Sequence, residues 1–184
     1  GVVDAWRPIA RQQRIYDFMW GCAREAFPLR TDAALRRTVC RWVAPTNQKA
    51  PPGHCTGAAA DVWLVDEAGD PVDVWSPYDR WQAAPTYTAG LDPAPAQMRT
   101  LLVEAMLKVG FSNCRDEWWH YSYGDAGWAV RTGQASCPYG LIELAPEFYA
   151  AEEAAWMEGL GERKNPFTGL PPDPRFQRWL EDPA

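Results

Sequence analysis

Apolar positions recur at helical spacing from Ile9 to Arg24. Ile15, Phe18, Met19, Cys22 and Ala23 share a stripe, with arginine and glutamine between them. Pro8 suits the first turn of this helix. Thr31-Asp32 opens a second helix through Leu35, Val39 and Trp42, with a hydroxyl or carboxylate as its cap. Pro45 to Gly53 is a polar, proline-rich loop. Ala59 to Val65 mixes small and β-branched residues and predicts a strand; Glu67 to Pro71 is a turn, and Val72 to Trp75 a returning strand. Ser76 to Ala94 is a long loop carrying Tyr78, Asp79 and Trp81, and loops of that length usually serve function. Met98, Leu101, Leu102, Ala105 and Met106 line one stripe of a helix over 95–109 that Gly110 ends. Glu117 to Tyr123 reads as an aromatic strand, Trp128 to Thr132 as a short helix or strand, and Pro146 to Leu160 as a helix; turn and coil follow from Gly161. The pattern predicts an α+β fold, a small antiparallel sheet flanked by helices.

The length of 184 residues fits a single domain over 1–184, with residues 141–184 as a C-terminal extension. A net charge of −6 argues against non-specific nucleic-acid binding, which needs a positive surface. No apolar run approaches the ~18–20 residues that span a bilayer, so neither nucleic acid nor membrane is an expected partner. The chain opens Gly-Val-Val-Asp with no basic leader, which leaves cytoplasm and periplasm both open. Eleven tryptophans suggest a core or cleft with wide aromatic walls, and five cysteines without a Cys-x-x-Cys pair exclude a structural zinc knot.

The chemistry gathers around the two histidines. His54 opens His-Cys-Thr-Gly-Ala-Ala-Ala-Asp, which ends at Asp61, and His120 closes Glu117-Trp118-Trp119-His120. Two imidazoles and a nearby carboxylate are the donor set of a catalytic zinc site, which keeps a fourth position for water. Cys55 and Cys114 neighbour these residues and thiolate also binds zinc, but Asp61 fits the set better. Spacing sets a geometric problem. Residues seven apart on a flat strand point to opposite faces, so His54 and Asp61 meet only if Gly57 makes a bulge or turn. Glu117 and His120, three apart, need a helical turn or a bulge. With zinc on His54, Asp61 and His120, Glu117 is placed as general base. Arg7, in Asp4-Ala-Trp-Arg-Pro8, is a candidate positive donor to the tetrahedral intermediate.

His-x-x-Gly-x-Ala-x-Asp followed by Glu-x-Trp-His resembles the D-alanyl-D-alanine dipeptidases, zinc peptidases of the wider D,D-peptidase group. Asp4-Ala-Trp-Arg-Pro8 is similar to that family's arginine motif, and Tyr78-Asp79 to its Phe-Asp pair. The resemblance covers roughly residues 4–123. It implies one Zn2+ per chain, Arg7 as the transition-state arginine, Asp79 as holder of the substrate's ammonium, and hydrolysis of the D-Ala-D-Ala dipeptide to two D-alanines. The alternatives are a D,D-carboxypeptidase or endopeptidase acting on peptidoglycan stem peptides, and a non-catalytic zinc- or peptide-binding domain. Asn165-Pro-Phe-Thr-Gly-Leu-Pro171 is similar to a stretch the family carries near its start. It is either ordinary turn chemistry or structure standing in for a front segment that this sequence lacks.

Overall fold

The computed structural model describes residues 1–78 and 82–168. Strands β1 (Val2–Asp4), β2 (Ala59–Val62), β3 (Ser112–Cys114) and β4 (Glu117–Ser122) form one antiparallel sheet in the order β1-β2-β4-β3. Helices α1 (Ile9–Ala26), α2 (Asp32–Val39), α3 (Pro93–Lys108), α4 (Ala126–Thr132) and α5 (Ala150–Gly161) surround it. The architecture is the α+β one expected. Among the described residues no helix is long and apolar enough to cross a membrane.

Two apolar clusters hold these elements. Met19, Cys22 and Ala23 of α1 meet Leu35 and Val39 of α2, and Phe167 closes that cluster from the far end of the chain. Thr31 starts α2 by accepting from the Ala34 amide, as its sequence position suggests. The second cluster lies between the sheet and α3. Fully buried Trp118 packs against Trp63, Trp75 and Trp119 at ring separations of 5.3, 5.9 and 5.3 Å. Arg99 of α3 is buried beneath this aromatic group, and it has backbone carbonyls for partners. Its guanidinium donates to the carbonyls of Val74, Pro85 and Tyr87, so the helix pins both ends of the loop between them. Burial pushes its pKa down to about 10, still far above neutrality.

Several expectations shift. The strand from Ala59 ends at Val62, and Val72 to Trp75 is no strand; only an isolated bridge joins Val65 to Pro71. Local side-chain bonds win there. Asp66 accepts from the amides of Ala68 and Asp70, and Asp73 from those of Trp75 and Ser76, which curls the backbone away from a ladder. Trp128 to Thr132 is helical, capped by Asp125, and the last helix starts at Ala150 behind a separate 3₁₀ turn at Pro146–Phe148. β1 and β3, three residues each, were not expected.

Residues 138–168 lie against the rest of the described chain. The Ile142 amide donates to Cys55 O at 2.9 Å, and Trp6 Nε1 donates to Ile142 O at 3.3 Å. Helix α5 buries no residue of its own and is clasped by charge. Arg11 of α1, 5% exposed, donates to Glu152 and Glu153 at 2.7 Å each, and Arg14 also pairs with Glu153. Asn165 donates to Cys22 O at 2.9 Å and seats Phe167 beside Phe27. The stretch from Asn165 to Thr168 is therefore packed into the helical cluster; residues 169–171 of the motif lie outside the described residues.

Arg11→Ala is expected to lower stability by about 3 kcal/mol, because it leaves Glu153 half-buried without its buried partner. Arg14→Ala, at the exposed end of the clasp, is expected to cost at most about 1 kcal/mol. Denaturant titration checks the contrast; equal losses would mean that the buried pair does not hold α5.

Candidate metal centre

His54 comes from a turn, and the other two members of the donor set come from the sheet. Residues Gly53–Thr56 form a 3₁₀ turn, tied by Thr56 Oγ1 donating to Gly53 O at 2.6 Å. Gly57 closes it at φ +67°, a left-handed conformation in which glycine carries no side-chain penalty. The turn ends the parity of the segment before β2 begins at Ala59. Asp61 on β2 then stands directly opposite His120 on β4. The expected Gly57 break is present, as a helical turn ahead of the strand rather than a bulge within it.

Three donor atoms converge. His54 Nε2 lies 3.1 Å from His120 Nδ1 and 3.3 Å from Asp61 Oδ1, and His120 Nδ1 lies 3.1 Å from the same oxygen. Three ligands on a tetrahedral ion at ~2.0–2.1 Å stand roughly 3.3 Å apart, so this triangle has the size of one zinc-like coordination face. The remaining ring atoms fix which nitrogens face inward. His54 Nδ1 donates its proton to Ala5 O at 2.7 Å, since a carbonyl only accepts, and this leaves a lone pair on Nε2. His120 Nε2 lies 3.3 Å from Ser122 Oγ; with its proton there, Nδ1 also presents a lone pair. Two imidazole lone pairs and a carboxylate oxygen facing one another are what a divalent cation requires.

Burial opposes ionisation of Asp61, but the imidazoles of His120 and His54 beside it hold the carboxyl well below the usual carboxylate range. Burial pushes His120 below its ordinary value, against the pull of Asp61. The stable forms are thus an aspartate and a neutral His120. Cys55 and Cys114 stay outside this group among the described residues. Cys55 is fully buried and burial pushes its thiol up to about 11; burial raises the Cys114 thiol as well. Neither offers a ready thiolate, and all five cysteines are free.

The same cavity, about 1130 Å³, is lined by His54, Asp61, His120, Glu117 and Arg7. Glu117 and His120 share it because β4 bulges between them. Cys114 of β3 faces Glu117 while Asn113, one residue back, faces Tyr121, so one step on β3 spans four on β4. Trp118 and Trp119 consequently touch edge to face, although residues adjacent on a regular strand would point apart. Trp118 is core and Trp119 lines the cavity. Arg7 is half-buried, with its side chain 12% exposed, and is held at both terminal nitrogens: Nη2 donates to Asp4 Oδ2 and Nη1 to Gln12 Oε1, each at 2.6 Å. Its backbone amide donates to His54 O at 3.0 Å, which couples the arginine to the metal turn. Asp79 lies outside the described residues.

Sequence reasoning passed over Gln12, Ser122 and the carbonyl of Ala5. Gln12 had a readable signal: it falls on the α1 stripe with Ile15, Met19 and Ala23, where an amide is out of place unless it has work to do. It is 2% exposed, donates to Ala44 O at 2.8 Å and orients Arg7. The other two act through backbone or at a position the strand alone does not distinguish.

Two outcomes follow. Divalent-cation affinity is expected to be flat above about pH 6.5 and to fall below it, because protons compete for the His120 imidazole and burial keeps it from holding one at higher pH. Calorimetric titration across pH 5 to 8 checks this; a fall already above pH 7 would contradict the burial effect. Gly53→Ala is expected to weaken zinc binding by about tenfold. A methyl there would run into the Asp125 carboxylate and meet Ala59 Cβ at 3.0 Å, and so displace the His54 turn.

Known proteins resemble this chain. A family model described as D-ala-D-ala dipeptidase, peptidase M15, matches residues 3–137. A D-alanyl-D-alanine dipeptidase of Synechocystis sp. is 33% identical over 154 residues, covering 72% of this chain and 62% of that protein. A D-alanyl-D-alanine dipeptidase of Escherichia coli is 31% identical over 86 residues, 46% of this chain and 45% of the relative. The chain thus spans less than two thirds of the length of these relatives. The match runs through the arginine segment, the histidine turn and the bulged strand alike, and on it the chain belongs to the D-ala-D-ala dipeptidase family of metallopeptidases.

Proposed function

We propose that this chain hydrolyses the D-Ala-D-Ala dipeptide to two D-alanines, using one zinc ion held by His54, Asp61 and His120. The observation that carries the reading is the donor triangle of 3.1–3.3 Å lying in one cavity with Glu117 and Arg7. Family membership and the activity for which both relatives are named support it. Zinc fits the donor set because it accepts imidazole nitrogen and carboxylate oxygen in tetrahedral array; when bound it polarises a carbonyl and lowers the pKa of water to ~7.

The chain's own groups supply the rest. Glu117, on the cavity wall three residues before a ligand, takes a proton from the attacking water and delivers it to the leaving amine. Arg7 offers a permanent positive charge to the oxygen that turns anionic in the tetrahedral intermediate. Its clamp between Asp4 and Gln12 keeps the guanidinium from reorganising as that charge develops. Asp79 binds the substrate's free ammonium in this reading. Residues 1–184 act as one peptidase domain, with 141–184 as a C-terminal extension whose helix α5 is clasped to α1.

A second substrate class has one observation in its favour. A cavity of about 1130 Å³ slightly exceeds the ~300–1,000 Å³ of small-molecule sites, which leaves room for a peptidoglycan stem peptide ending in D-Ala-D-Ala.

Metal analysis with D-alanine release tests the reading. The protein should hold about one zinc per chain, lose turnover on chelation and regain it with zinc. Glu117→Gln should keep zinc and lose at least ~100-fold in kcat; unchanged turnover removes Glu117 from the reaction. Comparing the free dipeptide with a pentapeptide stem separates the two substrate classes, a clear preference for the pentapeptide overturning the dipeptidase reading.

A further inference from the structure

The bulge that brings Glu117 and His120 to one cavity has a cost that the ladder does not cover. Between the Cys114–Glu117 and Asn113–Tyr121 pairings, the register runs four steps along β4 against one along β3. Backbone carbonyls on that edge would lack donors, and an unpaired buried carbonyl costs about as much as a lost hydrogen bond. One side chain fills the gap. Asn113 Nδ2 lies 3.3 Å from Glu117 O, 3.2 Å from Trp118 O and 3.0 Å from His120 O. Carbonyls only accept, so chemistry assigns the nitrogen end of the amide to them. The oxygen end faces Thr86 Oγ1, whose hydroxyl donates to it and also lies 2.6 Å from Cys114 O. Thr86 is itself fixed, its amide donating to Arg115 O at 2.9 Å, while Trp118 N donates to Ala84 O at 2.9 Å.

We infer that Asn113 is a positioning residue for the reaction: its amide, oriented by Thr86, holds the β4 bulge that sets Glu117 and His120 in one cavity. It touches neither substrate nor metal. It acts on the backbone of the base and of a ligand together, and so couples proton transfer to metal geometry. The inference rests on the reading of Glu117 as base and His120 as ligand.

The test uses the full chain with zinc and four variants. Asn113→Asp keeps the shape but turns the donor into a fourth acceptor against the three carbonyls; Asn113→Ala removes it. Thr86→Val removes the orienting hydroxyl and Thr86→Ser keeps it. With wild type turning over D-Ala-D-Ala, Asn113→Asp and Asn113→Ala are expected to lose 10–100-fold in kcat, the range for groups that orient a metal ligand, with KM within about threefold. Their zinc dissociation constants should rise, and the acid limb of the pH–rate profile should move as the Glu117 surroundings change. Thr86→Val should lose about tenfold, with Thr86→Ser within about twofold of wild type. Lower thermal stability with wild-type kcat, pH profile and zinc affinity would show a structural amide only and overturn the inference. If the Asn113 variants do not fold, equal kcat in Thr86→Val and Thr86→Ser overturns it. A wild type without turnover sinks the dipeptidase reading alone; zinc affinity then decides for Asn113, and an unchanged constant across the variants rejects it.

Discussion

Three electron pairs are aimed at one point, and the rest of the site is arranged to keep protons off that point. Ala5 O takes the proton of His54 Nδ1 and Ser122 Oγ that of His120 Nε2, so the inward nitrogens face Asp61 bare. Without a cation, such a triangle is held only by the surrounding fold, since like partial charges at 3.1–3.3 Å repel. That explains the stiffness of its supports. A 3₁₀ turn closed by glycine, a cross-strand pair at the centre of the sheet and the Arg7 amide donating to His54 O leave little freedom to relax. A cation held there would link ion binding to folding, because it would offset the repulsion among the gathered donors.

The second constraint is parity. A strand alternates sides with period two, and this site needs residues at odd separations on one side twice over, His54 with Asp61 and Glu117 with His120. The fold breaks the alternation in two different ways. Ahead of β2 it inserts a helical turn, which needs only local bonds from Thr56 and the positive φ of Gly57. Within β4 it runs four steps against one on β3, which requires help from outside the strand. Each solution suits its place: the turn lies at the sheet's margin, whereas β4 is paired on both edges and cannot simply leave the ladder.

The donor set was legible because its chemistry is scarce. Two histidines in 184 residues, each with a carboxylate at short range, leave few combinations. Gly57 was legible as a break for the same reason that any glycine between two functional positions is. The long helices followed from their stripes, and α3 was marked by Gly110 at φ +91° just past its end. What stayed hidden is set by short-range competition and by length. β1 and β3 have three residues each, too few for alternation to show. Val72 to Trp75 has strand composition, but Asp73 offers its amides a closer acceptor than any neighbouring strand. Asn113 reads as a turn residue beside a hairpin, because its three carbonyl partners exist only after the bulge has formed. Gln12 alone among the supports broke a visible pattern.

The aromatic packing behind the site has an optical consequence. Trp63, Trp75, Trp118 and Trp119 stand at centroid separations of 4.9 to 5.9 Å, mostly edge to face. Indoles so close and so inclined share their electronic excitations, and the resulting circular-dichroism bands depend on mutual orientation rather than on the number of chromophores. Trp119 belongs both to this array and to the cavity wall. The chain thus carries a built-in spectroscopic gauge, in which a guest settling against one indole alters the signature of all four.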